Sequence, residues 1–143
     1  MNDRIDINEI EPEAFKAMFA VERYLSDAEL DTSLKELIKV RASQINGCAY
    51  CIAMHTDVAL KHGETQERLF ALAAWRESKL FSDQERAVLQ LTDEVTHISE
   101  GGLSDETFAA ALRALGEVAL AQAIVQIAAI NSWNRIAVAT HMK

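Results

Sequence analysis

Punctuation is scarce in this chain: 143 residues carry one proline, Pro12, and five glycines. A β-rich fold needs turn residues far more often, so the scarcity favours helices joined by short loops. No window alternates apolar and polar residues for long enough to make a strand. Periodic apolar segments lie between the few breaks instead. Pro12 opens a helix in which Phe15, Met18, Phe19 and Glu22 recur at helical spacing. The segment DTSLKELIKVRASQ begins with cap-type residues and sets Leu34, Leu37, Ile38, Ala42 and Ile45 on one face. Asn46-Gly47 breaks it, and a helix from about Cys48 runs to Gly63, a left-handed stop. Thr65 caps the next, which carries Leu69, Phe70, Leu72, Ala73 and Trp75. Ser82 to Glu85 matches a capping box ahead of Ala87, Val88, Leu91 and Val95. Gly101-Gly102 closes that helix, Ser104 starts a short one ending at Gly116, and a last helix spans about Glu117 to Thr140. The expectation is one all-α domain over 1–143, a bundle of about six to seven helices.

The formal charge of −8 argues against nucleic acid and against an anionic membrane surface, both of which are bound through excess lysine and arginine. The start, MNDRIDINEIEPE, is charged and lacks the apolar core of a secretory signal. Val118 to Asn134 carries no formal charge, yet it contains Gln122, Gln126, Asn131 and Asn134. It also falls short of the run of about 20 apolar residues that spans a membrane. A central helix of the bundle, or one shared with another subunit, fits it better. The chain is expected in the cytoplasm, where a purely structural disulfide is unusual.

That expectation bears on INGCAYCIAMHTDVALKHG, Ile45 to Gly63, which holds both cysteines and two of the four histidines. On a helix Cys51 lies about 60° back from Cys48, and His55 about 40° beyond Cys51, so all three share a face. The two cysteine Cα atoms fall about 5 Å apart, within disulfide range. Three readings stay open at this point: a zinc clamp, a pair of inert buried cysteines, or a working dithiol. A closed structural zinc site wants four ligands, and His62 lies about 10 Å further along the axis than His55. His62, a turn before Gly63, suits a helix C-terminus. An open metal site with three ligands remains an alternative.

If the pair is a dithiol, Cys48 in the first turn meets unpaired backbone N–H groups that lower a thiol pKa. An unperturbed thiol is about 3% thiolate at pH 7. A drop of about two units raises that roughly 25-fold but costs about eightfold in nucleophilicity, leaving about threefold. A positioned acid–base group must therefore supply most of the catalysis, and His55 is placed for it. With an antiparallel turn at Asn46-Gly47, positions 45 and 48 oppose each other, as do 36 and 57. That register brings Glu36 alongside His55 to orient the imidazole. The competing reading makes Glu36 the capping-box partner of Ser33.

The run LKELIKVRASQINGCAYCIAMHT resembles the alkylhydroperoxidase D-like (AhpD-like) branch of the carboxymuconolactone decarboxylase superfamily. Its signature, a glutamate, eleven residues and then C-x-x-C-x-x-x-H, falls on Glu36, Cys48, Cys51 and His55. WRESKLFSDQERAVLQLTDEVT and INSWNRIAV extend the resemblance over about Leu34 to Val138. The resemblance implies an all-helical homo-oligomer, a trimer or hexamer, acting as a cofactor-free alkyl hydroperoxide peroxidase with a dithiol reductant or reductant protein. By match, Cys51 is peroxidatic, Cys48 resolving and reductant-facing, and His55 with Glu36 the proton relay. Tyr50 stands where the best-known members have histidine. The decarboxylases of the superfamily lack the dithiol, so decarboxylation does not follow from the resemblance. A non-catalytic thiol switch of the same fold is the alternative function.

Overall fold

The computed structural model describes residues 4–143; the first three residues of the expected 1–143 domain, and of its charged start, lie outside the described residues. Eight α-helices and two 3₁₀ turns, with no strand, make up the described residues. They are α1 (Ile7–Ile10), α2 (Pro12–Asp27), α3 (Thr32–Asn46), α4 (Ala49–Lys61), α5 (Gln66–Ala71), α6 (Asp83–Thr96), α7 (Asp105–Leu115) and α8 (Glu117–Thr140). The short turns are Leu72–Ala74 and Ile98–Glu100.

The all-α bundle is as expected, and its boundaries fall where the local chemistry puts them. Pro12 occupies the first turn of α2, where its missing N–H costs nothing. Ser82 and Glu85 exchange both bonds of a capping box, with Glu85 N–H to Ser82 Oγ at 3.2 Å and Ser82 N–H to Glu85 Oε2 at 2.8 Å. Thr65 and Ser104 cap α5 and α7. Three details differ from the sequence expectation. Helix α1, capped by Asp6, is one turn long and too short to show periodicity. Helix α4 ends at Lys61, with His62 rather than Gly63 as its cap. Phe70 is 80% exposed although it shares an apolar stretch with buried Leu69 and Leu72. The reason is the tightening from α5 into a 3₁₀ turn, which stacks Leu72 and Trp75 on one side and leaves Phe70 outside.

Two helices are buried on two sides each. Ile38 and Ala42 of α3 pack with Val88 and Leu91 of α6 and Ala123 and Ile127 of α8 in one apolar cluster. Leu37 and Val40 of α3 face a second cluster with Leu72, Trp75 and Leu89. Buried Asp93 braces this second side, accepting from Arg41 Nε at 2.7 Å and from Trp75 Nε1 at 3.2 Å. Helix α8, which carries the charge-free stretch Val118 to Asn134, is central: it packs against α2, α3, α4, α6 and α7. No helix among the described residues is long and apolar enough to cross a membrane.

Glu94 ties the α6–α7 connection. It accepts from Ser104 N–H at 2.8 Å, Thr107 Oγ1 at 2.5 Å and Gln90 Nε2 at 2.8 Å. Burial raises its carboxyl, but the hydrogen bonds from Thr107, Ser104 and Gln90 outweigh that and lower it to about 2. A depressed carboxylate stabilises the fold above its unfolded pKa of about 4.3, and the contribution is lost as pH falls toward 2. Glu94→Ala is expected to cost about 1–3 kcal/mol in urea unfolding at pH 7. It is also expected to flatten the acid limb of stability between about pH 4 and pH 2.

Candidate active site

The site begins with the break between α3 and α4. Gly47 sits in the left-handed region at φ 66° and ψ 34°, a conformation that costs a side chain and suits glycine. The Cys48 N–H then bonds back to the Ser43 carbonyl at 3.0 Å. Helix α3 therefore hands Cys48 directly to the start of α4, where it is the N-cap residue, and α4 folds back along α3. The Cys48 Sγ accepts from the Cys51 N–H at 3.2 Å. Cys48 and Cys51 are joined as a disulfide with Cα atoms 5.3 Å apart, in line with the helical spacing. The N-terminal turn of α4 thus acts on Cys48 first.

The turn is held from outside by α8. Asn46 Nδ2 donates to Asn131 Oδ1 at 2.9 Å and to Asn134 Oδ1 at 3.0 Å. Asn134, fully buried, donates through Nδ2 to Ser43 Oγ at 3.0 Å, and Ser43 Oγ donates to the Lys39 carbonyl at 2.6 Å. Asn131 Nδ2 reaches Thr96 Oγ1 on α6 at 3.0 Å. In the sequence these residues stood only for a helix break and for polarity in an uncharged segment. Their side-chain partners lie up to 91 positions apart, so local pattern carries no signal of the clamp.

The structure brings the four signature residues together. Glu36 Oε2 lies 3.8 Å from His55 Nδ1, so the antiparallel register holds. The capping-box reading of Glu36 is corrected: Asp31, not Ser33, is the N-cap of α3. Asp31 Oδ1 accepts from the Ser33 N–H at 2.8 Å, which places Glu36 inside the helix. Its carboxylate is buried, and its Oε1 meets Lys39 Nζ at 2.5 Å. At 3.8 Å the Glu36–His55 contact is too long for a hydrogen bond. Glu36 Oε2 and His55 Nδ1 are both buried without a hydrogen-bond partner. Burial, and secondarily the charge of Lys39, lowers the His55 imidazole to about 4.

His62 lies at the far end of α4, its Nδ1 2.9 Å from the Val58 carbonyl, in the helix-terminal role expected. Among the described residues no cluster of three or more His, Cys, Asp or Glu side chains is arranged to hold a metal ion.

Cys51 and His55 open onto a cavity of about 320 Å³ between α2, α4 and α8. Phe15, Phe19 and Trp133 form its aromatic wall, with ring centroids 5.3 to 6.2 Å apart. Trp133 is fixed by its Nε1–H donating to Glu22 Oε1 at 3.0 Å. Met142 lines the same cavity and packs, with Tyr50, against the cluster of Cys48, Cys51 and Ala137. Cys48 is absent from the cavity lining and, like Cys51, is buried in the disulfide form. A larger cleft of about 450 Å³ between the first and last helices is lined by neither cysteine. Sequence reasoning missed the cavity wall, since Phe15 and Phe19 read only as residues at helical spacing. It also missed Lys39, although its place three residues after Glu36 was a usable signal.

The carboxymuconolactone decarboxylase family profile matches residues 12–94, and the chain belongs to that family, in its AhpD-like branch. It is 40% identical over 139 residues to the uncharacterized protein YdfG of Bacillus subtilis, covering 97% of this chain and 95% of that one. A crystal structure of a protein of unknown function from Agrobacterium tumefaciens, suggested to be an antioxidant defence protein AhpD, superposes with a TM-score of 0.96. The identity there is 39%, with 99% of this chain and 97% of that chain covered. The debrominase Bmp8 shares the fold at a TM-score of 0.83 and 22% identity, covering 94% of this chain and 73% of that one.

The depressed imidazole makes a signed prediction. Between about pH 6.5 and pH 4 the unfolded chain holds a proton on His55 that the folded chain does not, so stability rises with pH there. Wild-type stability is expected to fall by up to about 3 kcal/mol as pH drops through that window, and His55→Gln to flatten the slope. Urea unfolding at a series of pH values measures both. The clamp makes a second: Asn134→Ala leaves buried Ser43 and half-buried Asn46 short of a partner and is expected to cost about 1–3 kcal/mol by the same measurement.

Proposed function

We propose that the chain is a dithiol peroxidase that reduces organic hydroperoxides through Cys48 and Cys51. The observation that carries this reading is the asymmetry of the pair: the apolar cavity reaches Cys51 and His55 but not Cys48. In the reduced protein, His55 takes the Cys51 thiol proton and the thiolate attacks the terminal oxygen of ROOH. The O–O bond breaks, Cys51 becomes a sulfenic acid, and the departing alkoxide takes the proton back from His55 to leave as ROH. Alkoxide is a poor leaving group, so this proton is the main need the imidazole meets.

Cys48 then attacks the Cys51 sulfur, expelling hydroxide, which leaves as water with the Cys48 proton. The helix N-terminus and the Cys51 N–H favour Cys48 as a thiolate, which suits a resolving cysteine. Each turnover converts ROOH and two thiols into ROH, water and the disulfide, and a dithiol reductant restores the thiols. Glu36 orients His55, and its 3.8 Å separation suits a contact that tightens once substrate is bound.

The burial of both cysteines, at 2% and 3% exposure, favours a second reading, a thiol switch that reacts once and awaits a slow reductant. Turnover of tert-butyl hydroperoxide with dihydrolipoamide decides between them. The peroxidase requires many turnovers in wild type, none in Cys51→Ser, and a Cys51 sulfenic acid trappable by dimedone in Cys48→Ser. Full turnover in Cys51→Ser removes the peroxidase reading, and one equivalent consumed by wild type favours the switch. His55→Ala is expected to slow turnover by about 10²–10⁴-fold.

A further inference from the structure

We infer that Lys39 is a positioning residue: it competes with His55 for the single carboxylate of Glu36 and so keeps the imidazole beside Cys51 neutral. This assignment rests on the relay reading above and adds to it a residue outside the four-residue signature.

The geometry is lopsided. Glu36 Oε1 lies 2.5 Å from Lys39 Nζ, whereas Oε2 stands 3.8 Å from His55 Nδ1, with neither of those two atoms hydrogen-bonded. The ammonium holds the carboxylate, and the imidazole faces a carboxylate whose charge is already balanced. An ordinary helical pair does not look like this. Lys16–Glu13 and Lys61–Asp57 have the same kind of spacing, but their side chains are 62% to 81% exposed. Lys39 and Glu36 are 16% and 7% exposed, and desolvating a lysine is unfavourable unless a partner compensates it. Lys39 is also on the wall of the cavity that Cys51 and His55 share.

The charged and titratable neighbours of His55 can be named from each packed element. Helix α3 supplies Glu36 and Lys39; α4 supplies Tyr50 and Cys51; α2 supplies Glu22, which is engaged by Trp133. Helix α8 contributes Ile130, Trp133 and Ala137, none of them titratable. Removing the Lys39 charge therefore leaves Glu36 as the nearest formal charge to the imidazole. An unbalanced carboxylate within about 4–6 Å favours the imidazolium by about one to three pKa units. The base needed to deprotonate Cys51 would then be occupied by a proton at mildly acidic pH.

The test is titration of His55 by NMR, alongside the pH profile of hydroperoxide turnover, in wild type, Lys39→Met, Lys39→Gln and Lys39→Arg. The neutral variants are expected to raise the His55 pKa by at least about one unit and Lys39→Arg to hold it near wild type. Lys39→Gln retains a donor for Glu36 and carries the test if Lys39→Met fails to fold. An unmoved His55 in the neutral variants, or the same rise in Lys39→Arg, overturns the assignment. The acid limb of turnover should move with His55. A titration that shifts as expected while the limb stays still upholds Lys39 and tells against His55 as the base, so the two readings fail separately.

Discussion

Everything at the site depends on the reversal between α3 and α4. A left-handed glycine at position 47 turns the chain in a single residue, and the Cys48 N–H closes on Ser43. That short connection fixes the register of two antiparallel helices, and the register in turn sets Glu36 opposite His55. Were the loop longer, rotation of α4 about its axis would be free to carry His55 away from Glu36 while leaving the cysteines on their own shared face. The amides of α8 remove the remaining freedom, since Asn46 is bonded to two turns of that helix at once. The dithiol is therefore placed by a polar clamp between apolar clusters, not by the clusters themselves.

Around that frame the electrostatics are spare. Buried Glu36 and half-buried Lys39 and His55 include one anion and one cation held in contact, plus an imidazole whose partial burial disfavours its charged form. The facing cavity is walled largely by aromatic and methionine side chains, the apolar setting on which the proposed organic hydroperoxide substrate rests. Cys51 belongs to this apolar side, while Cys48 belongs to the helix terminus. One disulfide thus joins two environments, and the division of labour proposed for the cysteines rests on that difference.

Much of this was legible in the sequence because it is local. Sparse glycine and proline, capping residues at Thr65, Ser82 and Ser104, and the 3.6-residue period of α3 and α6 determine the helices one at a time. The signature itself is local once Gly47 is read as a reversal, since the two halves of Glu36 and His55 sit on adjacent helices. What escaped is long-range. Phe15 and Phe19 come from a helix that meets α8 only in three dimensions, and Asn131 and Asn134 gain their meaning from Asn46 across the core. Phe70 escaped for a different reason: a change of helix type within one turn rotates the buried face, and apolar periodicity does not record it.

The clamp on the cysteine turn is built from asparagine amides and hydroxyls, bonded among Asn46, Asn131, Asn134, Ser43 and Thr96. None of these groups gains or loses a proton in the physiological range, and Arg135 donates to Asn131 at 2.8 Å. Acidity can therefore alter the imidazole without loosening the scaffold that carries the sulfurs. The bonds that hold the cysteine turn are therefore not themselves titrated, and acidity reaches the site through neighbouring groups such as the His55 imidazole.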